Sequence, residues 1–149
     1  MRIAVASDEP YPVHEALVRA LERRGHEVVR MGSVKTGAEG PWAEVAEEAA
    51  RSVATGQCDE AVVCCWTGTG ASMASNKVSG IRAALCVDAQ TAAGARIWNH
   101  ANVLCLSNRL LTADLAEEIV ASWLDTDPGD KGTAGVERLA AVEARSMRR

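Results

Sequence analysis

Cys65 closes an apolar run, Ala61-Val62-Val63-Cys64-Cys65, and Trp66-Thr67-Gly68-Thr69-Gly70-Ala71-Ser72 follows it at once. The run reads as a buried strand and the segment after it as a loop that opens a helix from about Ala71. A thiol then stands at the carboxyl end of a strand beside N–H groups that have no intrahelical partner. Such amides attract phosphate, carboxylate or a developing oxyanion, and they favour a negative sulfur over a neutral one. A nucleophile or base beside an anion hole is the arrangement of an enzyme. Gly68 and Gly70 tolerate positive φ and let a ligand approach the backbone. The hydroxyls of Thr67, Thr69 and Ser72 are placed to cap the helix or to bond a substrate oxygen. The same residues also fit a tight strand-to-helix turn around a buried, inert Cys65. The motif lacks both the G-x-G-x-x-G pattern and the Lys-Ser/Thr of a P-loop.

Composition narrows the classes. The chain has 149 residues, 48% of them hydrophobic, enough for one folded domain over residues 1–149 with its own core. A net charge of −4 leaves no electrostatic footprint for nucleic acid, and basic residues are dispersed apart from Arg145, Arg148 and Arg149. No apolar run is long enough to span a membrane, and the start, Arg2-Ile3-Ala4-Val5-Ala6, reads as a strand rather than a signal peptide. The expected compartment is the cytoplasm. Five cysteines, an odd number without a C-x-x-C spacing, fit reduced thiols better than a disulfide framework or a zinc site. His14, His26 and His100 are scattered, so no metal is expected. Cys64 and Cys65, adjacent on a strand, face opposite sides of the sheet.

The elements that must position these groups alternate. Arg2–Ala6, Glu27–Met31, Ala61–Cys65, Ile81–Val87 and Val103–Leu106 read as strands. Between and after them come helices over Val13–Arg24, closed by Gly25, Trp42–Ala54, from Ala71, Ala89–Ile97 and Thr112–Leu124. The stretch Gly32–Gly40 reads as loop. The alternation argues for a parallel sheet covered by helices on both faces. Asp125–Thr133 reads as loop and Val136–Arg148 as a further helix, which either packs on a partner subunit or folds back on its own domain. Trp42 and Trp123 fall on apolar helical faces, in the core or an interface. Asp8, at the end of the first strand, stands at the ligand edge of such a sheet.

Cys65 with Thr67-Gly68-Thr69-Gly70, Ser72, Asn76-Lys77, Gly80-Ile81-Arg82-Ala83-Ala84, Asn99, Asn102-Val103-Leu104 and Arg109 resembles the ribose-5-phosphate isomerase B and galactose-6-phosphate isomerase family. Ser7-Asp8 fits as well, and the likeness spans most of the chain in order. The resemblance implies a Rossmann-like three-layer α/β/α sandwich with a five-stranded parallel sheet and an extra C-terminal helix, over about residues 134–148. It implies aldose–ketose isomerisation of a sugar or sugar phosphate through a cis-enediolate, without metal, nucleotide or other cofactor. Cys65 would be the base and Thr67 the hydroxyl that helps open a sugar ring. The amides from Gly68 through Thr69, Gly70 and Ala71 to Ser72 would stabilise the enediolate oxygen. Asp8 and Asn99 would hold substrate hydroxyls, and Arg109 would contact phosphate. Family members are homodimers or tetramers whose sites combine two subunits, so Asn99 would serve the neighbour's Cys65.

The chain also departs from the family pattern. Trp66 replaces the first Gly of Cys-Gly-Thr-Gly, Trp98 falls where the ring-opening His stands, and Glu9 takes the place of the His in the N-terminal Asp-His pair. Of two basic phosphate residues in the C-terminal region, one becomes Lys131 and the other Gly135. Losing His and Arg while gaining a carboxylate weakens phosphate recognition. The expectation is an isomerase whose preference has moved away from ribose 5-phosphate, or else a catalytically silent subunit of a heteromer. A nucleotide-binding module is disfavoured, because Glu27–Arg30 ends in Arg where an acid would recognise ribose.

Overall fold

The computed structural model describes residues 1–147. Arg148 and Arg149, the end of the expected C-terminal helix and of the basic tail, lie outside the described residues. Strands β1 (Arg2–Ser7), β2 (Glu27–Gly32), β3 (Glu60–Cys65), β4 (Ala83–Leu85) and β5 (Val103–Ser107) form one sheet in the order β2-β1-β3-β5-β4. All four pairings are parallel. The central strands β1, β3 and β5 are almost wholly buried, as runs of Ala, Val, Ile, Leu and Cys covered on both faces must be.

Alternation along each central strand feeds two cores. Ile3, Val5, Val62, Cys64, Leu104 and Leu106 face helices α1 (Val13–Arg23), α5 (Ala89–Asn99) and α6 (Ala113–Asp125). Ala4, Ala6, Ala61, Val63, Cys65 and Cys105 face α3 (Trp42–Ala54) and α4 (Thr69–Ser75). Cys64 and Cys65 therefore part to opposite faces as the strand period requires. The three-layer α/β Rossmann-like fold follows.

Two local expectations change. Gly32–Gly40 contains a one-turn helix, α2 (Ser33–Thr36). The fourth strand shrinks from Ile81–Val87 to Ala83–Leu85, because Asn side chains capture the N–H groups at its start. Asn102 Oδ1 accepts from Arg82 N–H at 2.8 Å, and Asn76 Oδ1 accepts from Ala83 N–H at 2.8 Å. Trp123 is core, and Trp42, 49% exposed in the single chain, is outside the core and covers Gly70 of α4.

The last helix, α7 (Thr133–Ser146), has no buried residue. Two contacts, one just before it and one near its end, help tie it to the body. Gly132 lies so close to the end of α5 that a Cβ there would stand 2.5 Å from the Ile97 carbonyl oxygen, and the Glu143 carboxylate accepts the Gly80 N–H at 3.1 Å. No helix among the described residues is long and apolar enough to cross a membrane.

Candidate active site

The strand order reverses at β1 and β3. Chain leaving β1 crosses to β2 on one side, and chain leaving β3 crosses toward β4 and β5 on the other. Their carboxyl ends, with Ser7 beside Cys64, thus open a crevice of the kind in which parallel α/β sheets take ligands. Asp8, Glu9, Cys65 and the loop Trp66–Gly68 all stand on this edge.

Cys65 is buried, and its sulfur accepts the backbone N–H of Ala71 at 3.4 Å. The loop after it is tied to the end of β5. The Cys65 carbonyl accepts Asn108 N–H at 2.9 Å, and the Trp66 carbonyl accepts Arg109 N–H at 3.0 Å and the Ser107 hydroxyl at 2.9 Å. Arg109 is thereby held beside Trp66, with its side chain exposed.

Gly68 makes the turn with φ +77°, and an added Cβ would meet Leu85 Cδ1 at 2.5 Å and the Leu106 carbonyl carbon at 3.0 Å. The turn can sit this close to the sheet only without a side chain. Gly70 is covered by the Trp42 ring, whose Cε3 would lie 2.9 Å from a Cβ.

The hydroxyls of Thr67 and Thr69 bond each other at 2.7 Å, and no side chain caps α4. The capping role expected for Thr67, Thr69 and Ser72 is therefore not taken up. Ala71 N–H is spent on Cys65 and Ser72 N–H on the Gly68 carbonyl at 3.1 Å. Among the described residues no backbone carbonyl takes the N–H of Thr67, Gly68, Thr69 or Gly70.

Across the crevice, Asp8 Oδ1 accepts Glu9 N–H at 3.0 Å, and burial pushes the Asp8 carboxyl above its ordinary range. The Tyr11 hydroxyl donates to Glu9 Oε2 at 2.8 Å, and the Tyr11 ring lies 6.2 Å from the Trp66 ring.

Trp98, Asn99 and Lys131 are not brought to this edge. α5 ends where β5 begins, and β5 then runs four residue steps, about 13 Å, before it pairs Ser107 with Cys65. Trp98 and Asn99 are exposed at the opposite edge of the sheet, and Lys131 adjoins them through Gly132, which packs on the Trp98 carbonyl. The fourteen anticipated residues thus fall into two groups on one chain, eleven around Cys65, of which Thr69, Gly70, Ala71 and Ser72 lie in α4, and three at the far end of α5.

His14, Tyr11 and Asn108 were not anticipated. His14 Nε2 bonds Asn108 Oδ1 at 2.8 Å, and Asn108 Nδ2 donates to the Ser7 hydroxyl at 3.1 Å. The signal for His14 was present. Together with Leu17, Val18 and Leu21 it completes the apolar stripe of α1, and a histidine in such a stripe must find a buried partner.

The chain is similar to known proteins over nearly its whole length. The family model described as Ribose/Galactose Isomerase matches residues 3–142. D-erythrulose-4-phosphate isomerase of Pectobacterium atrosepticum is 32% identical over 145 residues, 96% of this chain and 95% of that one. Ribose-5-phosphate isomerase B of Escherichia coli is 35% identical over 133 residues, covering 89% and 88%. The structure of Clostridium thermocellum ribose-5-phosphate isomerase B superposes with a TM-score of 0.91 at 34% identity, over 98% of this chain and 99% of that one. Matched from β1 into α7, and carrying its thiol at the switch point of the same sheet, the chain belongs to the ribose/galactose isomerase family and is an aldose–ketose isomerase of sugar phosphates.

Proposed function

We propose that the chain interconverts a four-carbon ketose phosphate and its aldose through a cis-enediolate, in the cytoplasm, as an assembly of at least two subunits. Cys65 is the base. Its thiolate removes the proton from the carbon beside the carbonyl and returns it to the neighbouring carbon, while the hydroxyl proton moves between the two oxygens. The transient negative oxygen lies against the amides of Gly68, Thr69 and Gly70, which are fixed before the reaction and need no reorganisation. Thr67, Asp8 and Glu9 meet substrate hydroxyls. Asn99, Trp98 and Lys131 complete the site of a neighbouring subunit, and α7 packs on that neighbour. Arg109 and Lys131 offer the positive charge for a phosphate.

The observation that carries the choice of substrate is Trp98, an indole at the position where family resemblance puts the ring-opening histidine. A pentose 5-phosphate spends most of its time as a ring, and a ring must be opened before its carbon acid is exposed. A tetrose 4-phosphate has no free hydroxyl able to close a five-membered ring on its carbonyl, so it needs no such residue. The similarity to D-erythrulose-4-phosphate isomerase supports the same choice.

A panel of four- to six-carbon aldoses and ketoses, each with and without phosphate, tests it. A four-carbon phosphate should be turned over with kcat/KM at least about tenfold above ribose 5-phosphate, the step that one lost catalytic contact produces. Efficient isomerisation of ribose 5-phosphate would restore the ordinary family activity. Turnover of none, by the chain alone, would favour a silent subunit of a heteromer.

A further inference from the structure

Around the crevice, five hydrogen bonds close a circuit that begins and ends at Glu9. The Tyr11 hydroxyl donates to Glu9 Oε2 at 2.8 Å, and Tyr11 N–H donates to His14 Nδ1 at 3.4 Å. His14 Nε2 meets Asn108 Oδ1 at 2.8 Å, Asn108 Nδ2 donates to the Ser7 hydroxyl at 3.1 Å, and that hydroxyl donates to the Glu9 carbonyl at 2.8 Å. Each donor finds an acceptor around the whole loop for one protonation state alone, a neutral His14 with its proton on Nε2. Both ends of Glu9, carboxylate and carbonyl, are held by it. His14 and Asn108 are buried, at 3% and 6% exposure, so a broken link there has no water to replace it.

We infer that His14, Asn108 and Tyr11 are positioning residues that fix the Glu9 carboxylate as an acceptor for a substrate hydroxyl, opposite Cys65. The inference rests on the reading of this crevice as the substrate site and goes beyond it. A free glutamate on a loop samples several rotamers, and ordering it on binding would cost affinity. Tied at both ends, Glu9 meets the substrate already ordered. The Tyr11 ring then stands beside Trp66, so the same residue that holds the carboxylate also narrows the crevice for larger sugars.

The groups facing His14 are Glu15 on its own helix, Asp8, Glu9 and Tyr11 on the β1–α1 loop, Lys35 on α2, and the uncharged Asn108 from the end of β5. The carboxylates Asp8 and Glu15 draw a proton toward the ring, but desolvation outweighs them and holds its pKa below the ordinary histidine value. Protonation would put N–H groups on both ring nitrogens and turn Nδ1 against Tyr11 N–H.

Tyr11→Phe is the cleanest test, because it deletes one half-exposed hydroxyl and leaves the buried part untouched. With the best substrate from the panel, KM should rise roughly tenfold and kcat should hold, as loss of a charge-assisted bond made in both ground and transition states requires. His14→Leu should reproduce the rise in KM; the parent KM should also rise at acid pH as His14 protonates, and His14→Gln, which supplies a donor and an acceptor but does not titrate, should recover part of the lost affinity and show no such acid-side rise. Nitrogen-15 spectra of the side chain, read without substrate, should show the neutral Nε2–H form of His14. Wild-type KM in Tyr11→Phe, or a His14 whose proton sits on Nδ1, overturns the inference. Neither outcome depends on Cys65, so the base assignment and the circuit fail separately.

Discussion

The Cys65 sulfur accepts the backbone N–H of Ala71 at 3.4 Å, so the proposed base is oriented by the first turn of α4 and, among the described residues, by no side-chain hydrogen bond. Replacing it should remove the chemistry without loosening a side-chain network. Cys65→Ala should lower turnover by at least about a thousandfold and leave the thermal midpoint within a few degrees, since only one buried sulfur is lost. Cys64 is the internal control. It faces α1, α5 and α6, and burial drives its thiol far above the ordinary range, which keeps it protonated. Cys64→Ala should cost about 1 kcal/mol of stability and spare activity. Exchange of substrate hydrogen with deuterated water at the wild-type rate in Cys65→Ala would sink the assignment.

Gly68 and Gly70 should respond differently to the same change. At Gly68 a methyl group needs the left-handed backbone and meets the Leu106 carbonyl carbon at 3.0 Å, and backbone cannot yield. Gly68→Ala should cost about 2 kcal/mol or more and displace the loop from Cys65. Gly70 has ordinary φ, and the three atoms nearest an added Cβ all belong to the half-exposed Trp42 ring. Gly70→Ala should therefore cost less than about 1 kcal/mol, and Trp42→Ala in the same molecule should relieve it. Urea melts of the two single variants and the double variant decide this. Equal costs at the two glycines would contradict the contact geometry.

How legible the chain was depends on the range of the signal. The strands and the long helices follow from local periodicity, and Trp42–Ala54 appears at the bounds expected for it because proline, amphipathic spacing and length agree. The fourth strand is shorter than its apolar run because Asn76 and Asn102 reach across seven and twenty residues to take the N–H groups at its start. No window-based pattern contains that information. Cys65 and its glycines were visible as one contiguous motif. Asn108 was not, since its significance lies in contacts to His14 and Ser7, 94 and 101 residues away. The separation of Trp98, Asn99 and Lys131 from Cys65 is likewise a fact of topology. α5 returns the chain to the far edge of the sheet, and a motif in sequence becomes two clusters in space.

Acid should weaken the fold through His14. Its folded pKa lies below the unfolded value because burial disfavours the cation. Between about pH 6.5 and the lower folded value, the unfolded chain binds a proton that the native state does not. Stability from this group is complete above pH 6.5 and falls as pH drops, at most by about 1.4 kcal/mol per pH unit, until His14 protonates in the fold too. His14→Leu should flatten that part of the stability curve. The raised pKa of Asp8 acts in the opposite sense, because its neutral form suits the buried site, so it cannot account for the same slope. Chemical denaturation between pH 5 and 8 of the parent and the variant separates the two. An unchanged slope in His14→Leu would show that the loss has another source.

The two clusters of one chain make the last prediction. Cys65 stands at the carboxyl edge of the sheet and Asn99 at the opposite edge, with the rise of β5, about 13 Å, between the two edges, so no single chain can bring both to one small sugar. A pair of chains can, if the α5 end of one faces the Cys65 crevice of the other and the arrangement is repeated by two-fold symmetry. Cys65→Ala and Asn99→Ala should each be inactive as pure assemblies. When the two variants are unfolded together and refolded at equal amounts, half the pairs are mixed. Each mixed pair holds one site with both defects and one with neither. Activity should then return to about one quarter of the parent value, the fraction of intact sites that symmetric pairing dictates. No recovery, with mixed assemblies demonstrated by mass spectrometry, would mean that Asn99 does not serve a neighbour's cysteine.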